Sequence, residues 1–339
     1  MNIIFDIAHP AHLNFLKHAI YYFKGSDKHN VYVTCLRRGN LPIIAKKELE
    51  GVNLTLVGRH RGTFMSIIFE ANIRKFIELL YLSVKNNIQF GVALGSIPLG
   101  GALKLIGKKN IQFIDDTERK KHVFLLKIFS TTTFTPPITE ETNIFKNFNA
   151  SKEWAYLSPK YFKPNRDILD ELNIKAKQYI FVREVSTGSL NYTSQASGLI
   201  LNIAKDFPKG LKVVLSLEEK SLTEYYPKEW IILKEPVSDI HSLIYYSFAL
   251  VSSGDSMARE GAQLGVPSIY CGFRDMKANK ILANLGMVFE MKPDQVGVFL
   301  ERLAQNNIEI EDQDSFRNRL EKEWDDLTEL IISQVESYE

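Results

Sequence analysis

The sequence of 339 residues has few cysteines, little net charge and no apolar run long enough to span a bilayer. Its two cysteines, Cys35 and Cys271, form neither a disulfide framework nor the spacing of a zinc site, which fits a reducing compartment. The 42 basic and 40 acidic side chains nearly cancel, so bulk charge gives no reason to expect a nucleic-acid partner. The first residues lack the basic lead and apolar core of a signal peptide. We therefore expect a cytoplasmic location, or one at the inner face of the membrane.

Short apolar strand-like segments alternate with helical patterns along most of the chain. Such alternation predicts parallel sheets joined by right-handed crossovers. The alternation is interrupted by a proline-containing polar stretch at residues 136–164, which predicts a linker. The expected fold is α/β, with two Rossmann-like, doubly wound domains, residues 1–150 and 151–339, facing each other across a cleft. The final helix is expected to pack back on the N-terminal domain.

Residues 248–269 show the pattern strand, small-residue turn, helix, glycine stop and strand. Gly254 permits a sharp turn and a close approach to a ligand, and Asp255 or Ser256 is expected to cap the helix. The first amides of that helix then point out of the carboxyl end of a strand, where they attract phosphate. Glu260 lies one turn from Ser256 on the same face, where its carboxylate can accept hydrogen bonds from a ribose. The alternative is an ordinary connection with solvated charges.

Two histidines, His9 and His12, follow the first predicted strand at residues 2–7. A helix is expected from Leu13 onward. An imidazole with a pKa near neutrality can take a proton from a sugar hydroxyl, and we consider both histidines for a functional role. Capping or surface exposure is the alternative for each. No third ligand lies nearby in the sequence, so a metal site is not expected.

Charged residues follow two further predicted strands. Arg59 and His60, in a basic loop at residues 58–62, can hold an anionic acceptor or a phosphate. Asp115, Asp116 and Glu118 follow the strand predicted at residues 111–114. These carboxylates can bind substrate hydroxyls or cap the next helix. A solvated surface role is the alternative for the basic loop.

The segment 64–84 has helical spacing and is apolar over most of its circumference. Packing in the core explains this pattern most simply. The alternative is an apolar patch that touches membrane lipid.

Several motifs together resemble the domain-of-unknown-function 354 family. They are residues 6–12, 57–60, 115–118, 156–164 and 256–267, and they occur in the order expected for that family. The family is similar to the GT-B glycosyltransferases and to the non-hydrolysing UDP-N-acetylglucosamine 2-epimerases. The resemblance implies a nucleotide-sugar, and among these a UDP-sugar, held mainly by the C-terminal domain, with no other cofactor.

The resemblance also suggests roles for individual residues. It places His12 where the related N-acetylglucosaminyltransferase has a histidine, and Glu260 where related enzymes bind the ribose. The catalytic candidates are His12 and Asp116. The candidates for donor binding are Arg183, Gly254, Asp255, Ser256, Met257 and Glu260. The candidates for substrate binding are His9, Arg59, His60, Asp115 and Glu118. A sugar or lipid-linked acceptor is the expected partner, with weak peripheral membrane contact; no oligomeric state is predicted.

Three differences from that pattern concern the diphosphate. Asp255 stands where relatives have a small residue, Glu184 follows Arg183 where relatives have prolines, and residues 216–218 lack an arginine that relatives carry. A carboxylate beside a diphosphate repels it unless the carboxylate turns away or helps to hold a cation. Replacing Asp255 by glycine is therefore expected to tighten diphosphate binding. The competing functions are a glycosyltransferase acting in surface-polysaccharide or glycoconjugate assembly, a nucleotide-sugar 2-epimerase, and a non-catalytic binding protein.

Overall fold

The computed structural model describes residues 1–63, 65–188, 192, 195–234, 237 and 239–338. Its strands in the N-terminal part are β1 (Asn2–Ile7), β2 (Asn30–Arg37), β3 (Leu54–Arg59), β4 (Phe90–Leu94), β5 (Lys109–Phe113), β6 (Thr132–Thr135) and β7 (Phe145–Asn147). The strands that follow are β8 (Tyr179–Glu184), β9 (Lys212–Leu217), β10 (Ile231–Ile232), β11 (Ala249–Ser252), β12 (Ser268–Tyr270) and β13 (Val288–Glu290).

The helices connect these strands. They are α1 (Pro10–Lys24), α2 (Leu41–Glu48), α3 (Lys75–Lys85), α4 (Ile97–Leu105), α5 (Lys120–Phe129), α6 (Trp154–Leu157), α7 (Asp167–Glu171), α8 (Ile240–Tyr245), α9 (Asp255–Gln263), α10 (Lys277–Asn284), α11 (Val296–Ala304), α12 (Gln313–Glu323) and α13 (Leu327–Glu336). A π-helix at Ser66–Arg74 precedes α3, and short 3₁₀ helices occur at Leu201–Asp206, Lys220–Tyr225 and Pro293–Gln295.

The chain divides into two compact units. The first unit comprises residues 1–156 and 324–339, and the second comprises residues 157–323. The first unit has a parallel sheet in the order β3-β2-β1-β4-β5-β6-β7. Helix α1 contacts both α2 and α13, and α4 contacts both α3 and α5. Right-handed crossovers place α1 and α2 on one face of the sheet and α3, α4 and α5 on the other.

The second unit has a parallel sheet in the order β10-β9-β8-β11-β12-β13. Its central strands are buried because helices cover both faces, as the apolar segments 179–182 and 249–251 require. In both sheets the chain begins at a central strand, moves to one edge, and returns to add strands on the other side. The direction of winding therefore changes between β1 and β4 in the first sheet and between β8 and β11 in the second. Open α/β sheets bind ligands at such a switch point, outside the carboxyl ends of the strands.

Some predicted elements differ from the structure. Residues 136–164 are not a simple linker, because β7 pairs with β6 at the edge of the first sheet and α6 follows. The segment 64–84 begins as a π-helix, which an apolar pattern does not distinguish from an α-helix; Phe64 lies outside the described residues. After β8, the first described helical turn is the 3₁₀ helix Leu201–Asp206.

The predicted C-terminal helix is two helices rather than one. The chain breaks after Glu323, and the side chain of Asp326 accepts hydrogen bonds from the amides of Thr328 and Glu329 at the start of α13. Asp at this N-cap position starts α13 because its carboxylate satisfies amides that lack a partner within the helix. Trp324 packs edge-to-face against Trp154 in the same unit. In the described ranges, no helix combines the length and the apolar character needed to cross a bilayer.

Candidate functional site

Hydrogen bonds join the two loops at the switch point of the second sheet. The amide of Val185, just after β8, donates to Ser253 Oγ at 3.0 Å. The amide of Ser253 donates to the carbonyl of Arg183, also at 3.0 Å. These bonds hold the carboxyl ends of β8 and β11 side by side, so the start of α9 has a fixed position at the switch point.

Gly254 is the N-cap of α9, and the predicted caps are wrong. Neither Asp255 nor Ser256 occupies the cap position, because both already lie inside the helix. The backbone angle φ of Gly254 is −111°, which any residue can adopt. Glycine is needed here because there is no room for a side chain. An added Cβ would lie 2.6 Å from Val185 Cγ1. The amides of Asp255, Ser256 and Met257 form the first turn, where the helix dipole favours an anion.

Asp255 is buried and forms ion pairs with two arginines. Its carboxylate lies 3.2 Å from Arg259 Nη1 and 3.1 Å from Arg274 Nη1. The hydroxyl of Tyr192 donates to the same carboxylate at 2.8 Å. Arg259 is itself fully buried, and its Nη1 also donates to Asn279 Oδ1 at 2.9 Å. The negative charge of Asp255 is therefore balanced within the protein.

Arg274 was not predicted as a site residue. It lies in the loop after β12, where its amide donates to the hydroxyl of Tyr270 at 3.0 Å. Its side chain reaches the first turn of α9 through Asp255. A cavity of about 400 Å³ adjoins it, lined in part by Gly272, Glu290 and Lys292. The only sequence signal for Arg274 is its place after a strand, at the carboxyl edge of the sheet.

Glu260 is on the second turn of α9 and is buried. Its Oε1 lies 3.6 Å from Nε2 of His241, a residue of α8. The sequence placed Glu260 on the same helix face as Ser256, and the continuous helix confirms that spacing. His241 was not predicted, although it follows Asp239, whose side chain caps α8 by accepting from Ser242.

Arg183 forms side-chain contacts with two residues at the end of the neighbouring strand β9, Ser216 and Glu218. Its Nη1 donates to Ser216 Oγ at 2.6 Å, and its Nη2 forms an ion pair with Glu218. Glu218 also accepts from the amide of Ser186 at 2.9 Å. The guanidinium therefore lies near the switch point with a carboxylate of the same unit as a counter-ion.

Glu184, the next residue, is the last residue of β8 and is buried. Its carboxylate accepts from the amides of Ile200 and Leu201 at 3.0 and 3.3 Å. Burial raises the pKa of Glu184 to about 7, although these amides oppose the increase. Glu184 thus holds the start of the 3₁₀ helix at Leu201–Asp206. These hydrogen bonds are not to residues of α9.

A buried ion pair lies below the first loop of the N-terminal unit. Asp6, near the end of β1, pairs with Lys75 Nζ at 2.7 Å, and both side chains are almost completely buried. Thr34 and Ser96 donate their hydroxyls to the same carboxylate. This network joins β1, β2, α3 and the loop after β4, and therefore fixes the switch point of the first sheet.

His9 and His12 have different roles in α1. The helix begins at Pro10, earlier than predicted, and His9 is its N-cap: Nδ1 of His9 accepts from the amide of Ala11 at 3.2 Å. His12 lies in the first turn, and its Nδ1 is buried without a hydrogen-bond partner among the described residues. Burial, followed by the nearby imidazole of His9 and the charge of Lys152, lowers the pKa of His12 well below its usual value. His12 is therefore a neutral imidazole at neutral pH.

The acidic residues after β5 do not cap α5. Arg119 is the N-cap residue and makes no side-chain cap bond. Asp115 instead pairs with Lys152 Nζ at 2.5 Å, Asp116 is half-buried, and Glu118 is exposed. Asp115 and Lys152 both act on the pKa of His12, so these three side chains lie near one another. Lys152 was not predicted, since it lies in the stretch interpreted as a linker.

Arg59 and His60 lie at the end of β3, which extends through Arg59. Arg59 is exposed, and the amide of His60 donates to the carbonyl of Arg37 at 2.9 Å. Burial lowers the pKa of His60 from its usual value. The neighbouring Arg61 pairs with Glu70 at 3.2 Å, so the basic character of this loop is partly balanced. These contacts join the loop to β2 and to the π-helix.

The family of the chain follows from a match over its whole length. The family described as "Protein of unknown function (DUF354)" matches residues 1–339. The chain belongs to this family. No curated protein matches the sequence.

Solved structures show the same fold at low sequence identity. A putative UDP-N-acetylglucosamine 2-epimerase from Listeria monocytogenes has a TM-score of 0.74 at 11% identity, over 100% of this chain and 96% of that one. The UDP-GlcNAc 2-epimerase from Methanocaldococcus jannaschii, in complex with UDP-GlcNAc and UDP, has a TM-score of 0.71 at 12% identity, over 100% of this chain and 100% of that one. The glycosyltransferase VinC in complex with dTDP has a TM-score of 0.67 at 14% identity, over 100% of this chain and 99% of that one. This member of the family therefore has a GT-B-like fold with two parallel α/β sheets.

The predicted site residues fall into separate groups. Gly254, Asp255, Ser256, Met257 and Glu260 lie together on α9 or at its start, and Arg183 lies on the neighbouring strand β8. His9, His12, Asp115 and Asp116 belong to the first unit, near its own switch point. Within the described ranges, no three or more histidine, cysteine or acidic side chains are grouped so that they could hold a metal ion.

Proposed function

We propose that this protein binds a nucleotide-sugar at the switch point of its second sheet and transfers the sugar to an acceptor. The observation that carries the proposal is the position of α9. This helix starts directly after β11, beside β8, and its first turn contains three consecutive amides near Arg274. A helix N-terminus beside an arginine at a switch point is suited to a diphosphate.

Each part of the donor has a proposed partner. The diphosphate lies against the amides of Asp255, Ser256 and Met257, with Gly254 allowing its approach. The Glu260 carboxylate accepts hydrogen bonds from the ribose, and His241 orients that carboxylate. Arg183 is the second cation for the diphosphate. Among nucleotide-sugars we propose a UDP-sugar.

In this proposal the first unit, which includes the predicted domain of residues 1–150, holds the acceptor. His9, Arg59 and His60 belong to the acceptor side, together with Asp115 and Glu118. An acceptor hydroxyl oxygen forms a bond to the anomeric carbon, and the bond from that carbon to the diphosphate oxygen breaks. Neutral His12 takes the hydroxyl proton, Asp116 assists the transfer, and the helix amides stabilise the leaving diphosphate. The acceptor is a sugar or lipid-linked sugar of surface-polysaccharide or glycoconjugate assembly, in the cytoplasm or at the inner membrane face.

A donor-consumption assay tests this function. The protein is incubated with a panel of UDP- and dTDP-sugars, with and without simple sugar acceptors, and release of the nucleoside diphosphate is followed by chromatography. We expect release from at least one donor, and loss of that release in His12→Ala. The exposed Ile43→Ser variant is the matched control. Binding without any release, transfer or epimerisation would contradict an enzymatic function and support a binding protein.

The second candidate function is 2-epimerisation of a nucleotide-sugar. It is favoured by the proximity of His12, Asp115 and Lys152, because removal and return of a proton on a sugar carbon need acid and base groups close together. Asp116 and Glu118 follow in the same loop. This function predicts exchange of the C2 proton with deuterium from the solvent in the absence of any acceptor. Transfer that depends on an acceptor, without such exchange, would favour the glycosyltransferase.

A further inference from the structure

The outer surface of the first unit carries an uncovered apolar stripe. It runs along the π-helix and α3, where side chains about four residues apart lie on one face. Its members are Met65, Phe69, Ile73, Ile77, Tyr81 and Val84. Their exposed fractions lie between 47% and 62%. The opposite face of α3 meets the sheet through buried Leu79, so this stripe is not part of the core.

The neighbouring helices extend this apolar surface. Phe124 and Ile128 on α5, and Leu105 at the end of α4, are also exposed. Two glycines of α4 allow its neighbours to approach closely: a Cβ on Gly101 would lie 3.3 Å from the ring of Phe76 on α3, and one on Gly100 would lie 3.0 Å from the carbonyl oxygen of Phe129 on α5. The three helices therefore form one layer over the same face of the sheet.

The exposed charge of this layer is positive. Its exposed lysines are Lys85, Lys104, Lys120, Lys121 and Lys127. The one acidic residue within α3, α4 and α5 is Glu78, which pairs with Arg74 at 2.8 Å. Lys85 lies 5.7 Å from the ring of Tyr81, so basic and apolar groups are interleaved.

We propose that the layer of α3, α4 and α5 docks on the surface of an anionic lipid bilayer. Apolar side chains on an amphipathic surface enter the interface between headgroups and acyl chains, while lysines beside them attract anionic headgroups. A second copy of the chain fits less well, because the lysines of two such layers would repel each other. This docking does not depend on the nucleotide-sugar site and is measured without any donor.

Vesicle co-sedimentation of the full chain tests the docking. Vesicles of phosphatidylcholine with phosphatidylglycerol are compared with vesicles of phosphatidylcholine alone. We expect binding to the anionic vesicles, at least tenfold weaker binding to the neutral ones, and loss of binding at high salt. The double variants Ile77→Ser/Tyr81→Ser and Lys120→Glu/Lys121→Glu should each reduce binding to anionic vesicles at least tenfold.

The control is Ile43→Ser, which removes an exposed apolar side chain on α2, outside this layer. It should bind anionic vesicles as the unaltered protein does. Circular dichroism of every variant checks the fold. If Ile77→Ser/Tyr81→Ser is unfolded, the single variant Tyr81→Ser takes its place. No binding to anionic vesicles, or equal binding to both kinds, would overturn the proposal. A dimer in solution that Ile77→Ser/Tyr81→Ser dissociates, without vesicle binding, would assign the surface to a second copy.

Discussion

Asp255 and Arg274 form an ion pair of 3.1 Å across the start of α9. Arg259 holds the same carboxylate from the other side at 3.2 Å. The sequence alone suggested that Asp255 would repel a diphosphate. The structure shows its charge opposed by two guanidinium groups, so the acid instead holds the cation Arg274 beside the first amides of the helix.

Replacing Asp255 is therefore expected to damage the protein rather than improve it. Asp255→Asn leaves the fully buried Arg259 without its carboxylate, and breaking a buried ion pair costs about 3–5 kcal/mol. Urea unfolding should show that decrease in the free energy of unfolding. Asp27→Asn, which alters an exposed carboxylate, should leave stability unchanged. Equal stability of Asp255→Asn and the unaltered protein would show that the pair does not support α9.

Glu218 should limit the affinity for a nucleoside diphosphate. It neutralises Arg183, so Glu218→Gln should make that guanidinium more available to a phosphate. Because Glu218 is partly exposed, the gain is expected to be modest, up to about tenfold in affinity or about 1.4 kcal/mol. Titration calorimetry with UDP measures it, with exposed Glu224→Gln as the control. Weaker binding by Glu218→Gln would mean that Glu218 positions Arg183 for the ligand.

The pH dependence of turnover should reflect the lowered pKa of His12. Since only the neutral imidazole accepts a proton, a rate that depends on His12 should be constant from pH 6.5 upward and fall only at more acidic pH. For a histidine with an ordinary pKa of 6.5, the rate would instead still rise as the pH passes 6.5. His12→Ala should lower turnover about 100- to 10,000-fold while donor affinity stays unchanged. An unchanged rate in His12→Ala would remove His12 from the chemistry; the cap of α1 is His9 and stays intact in this variant.

Stability should depend on pH through Glu184. Its pKa is about 7 in the folded protein, against 4.5 as the ordinary value, so the folded state binds the proton more tightly. The contribution is therefore present below pH 4.5 and is lost as the pH rises through about 7. Urea unfolding of the unaltered protein and of Glu184→Gln, at pH 5 and pH 8, isolates this term. The unaltered protein should lose stability relative to the variant at the higher pH; a difference independent of pH would contradict the raised pKa.

The sequence was sufficient for the architecture and for the position of α9. Alternation of apolar strands and helices predicted both parallel sheets, and the small residues before Asp255 predicted the strand–helix turn. The pairs of Asp255 with Arg274 and of Arg183 with Glu218 could not be predicted, because each joins residues far apart in the chain. Asp255 and Arg274 are 19 positions apart, and Arg183 and Glu218 are 35 apart. Which side chains meet there depends on the lengths of the loops and on the register of β8, β9, β11 and β12.

Helix boundaries show the same limit at shorter range. His9 and His12 were both recognised as candidates, but the start of α1 at Pro10 decides which of them is the cap. Lys152 could not be linked to Asp115, because a proline-containing stretch gives no periodic signal for the strand β7 that precedes it. Local patterns thus find elements, while tertiary contacts assign the roles of charged residues.

Titration calorimetry of a nucleotide-sugar against Glu260→Ala tests the central claim most directly. The unaltered protein should bind at least one UDP- or dTDP-sugar saturably. Glu260→Ala should bind that ligand at least about tenfold more weakly, since hydrogen bonds to a charged acceptor contribute about 1.5–3 kcal/mol each, and its melting temperature without ligand should be nearly unchanged. Glu301→Ala, on the exposed side of α11, should bind normally. Equal affinity of Glu260→Ala and the unaltered protein, or no binding of any nucleotide-sugar, would contradict the account.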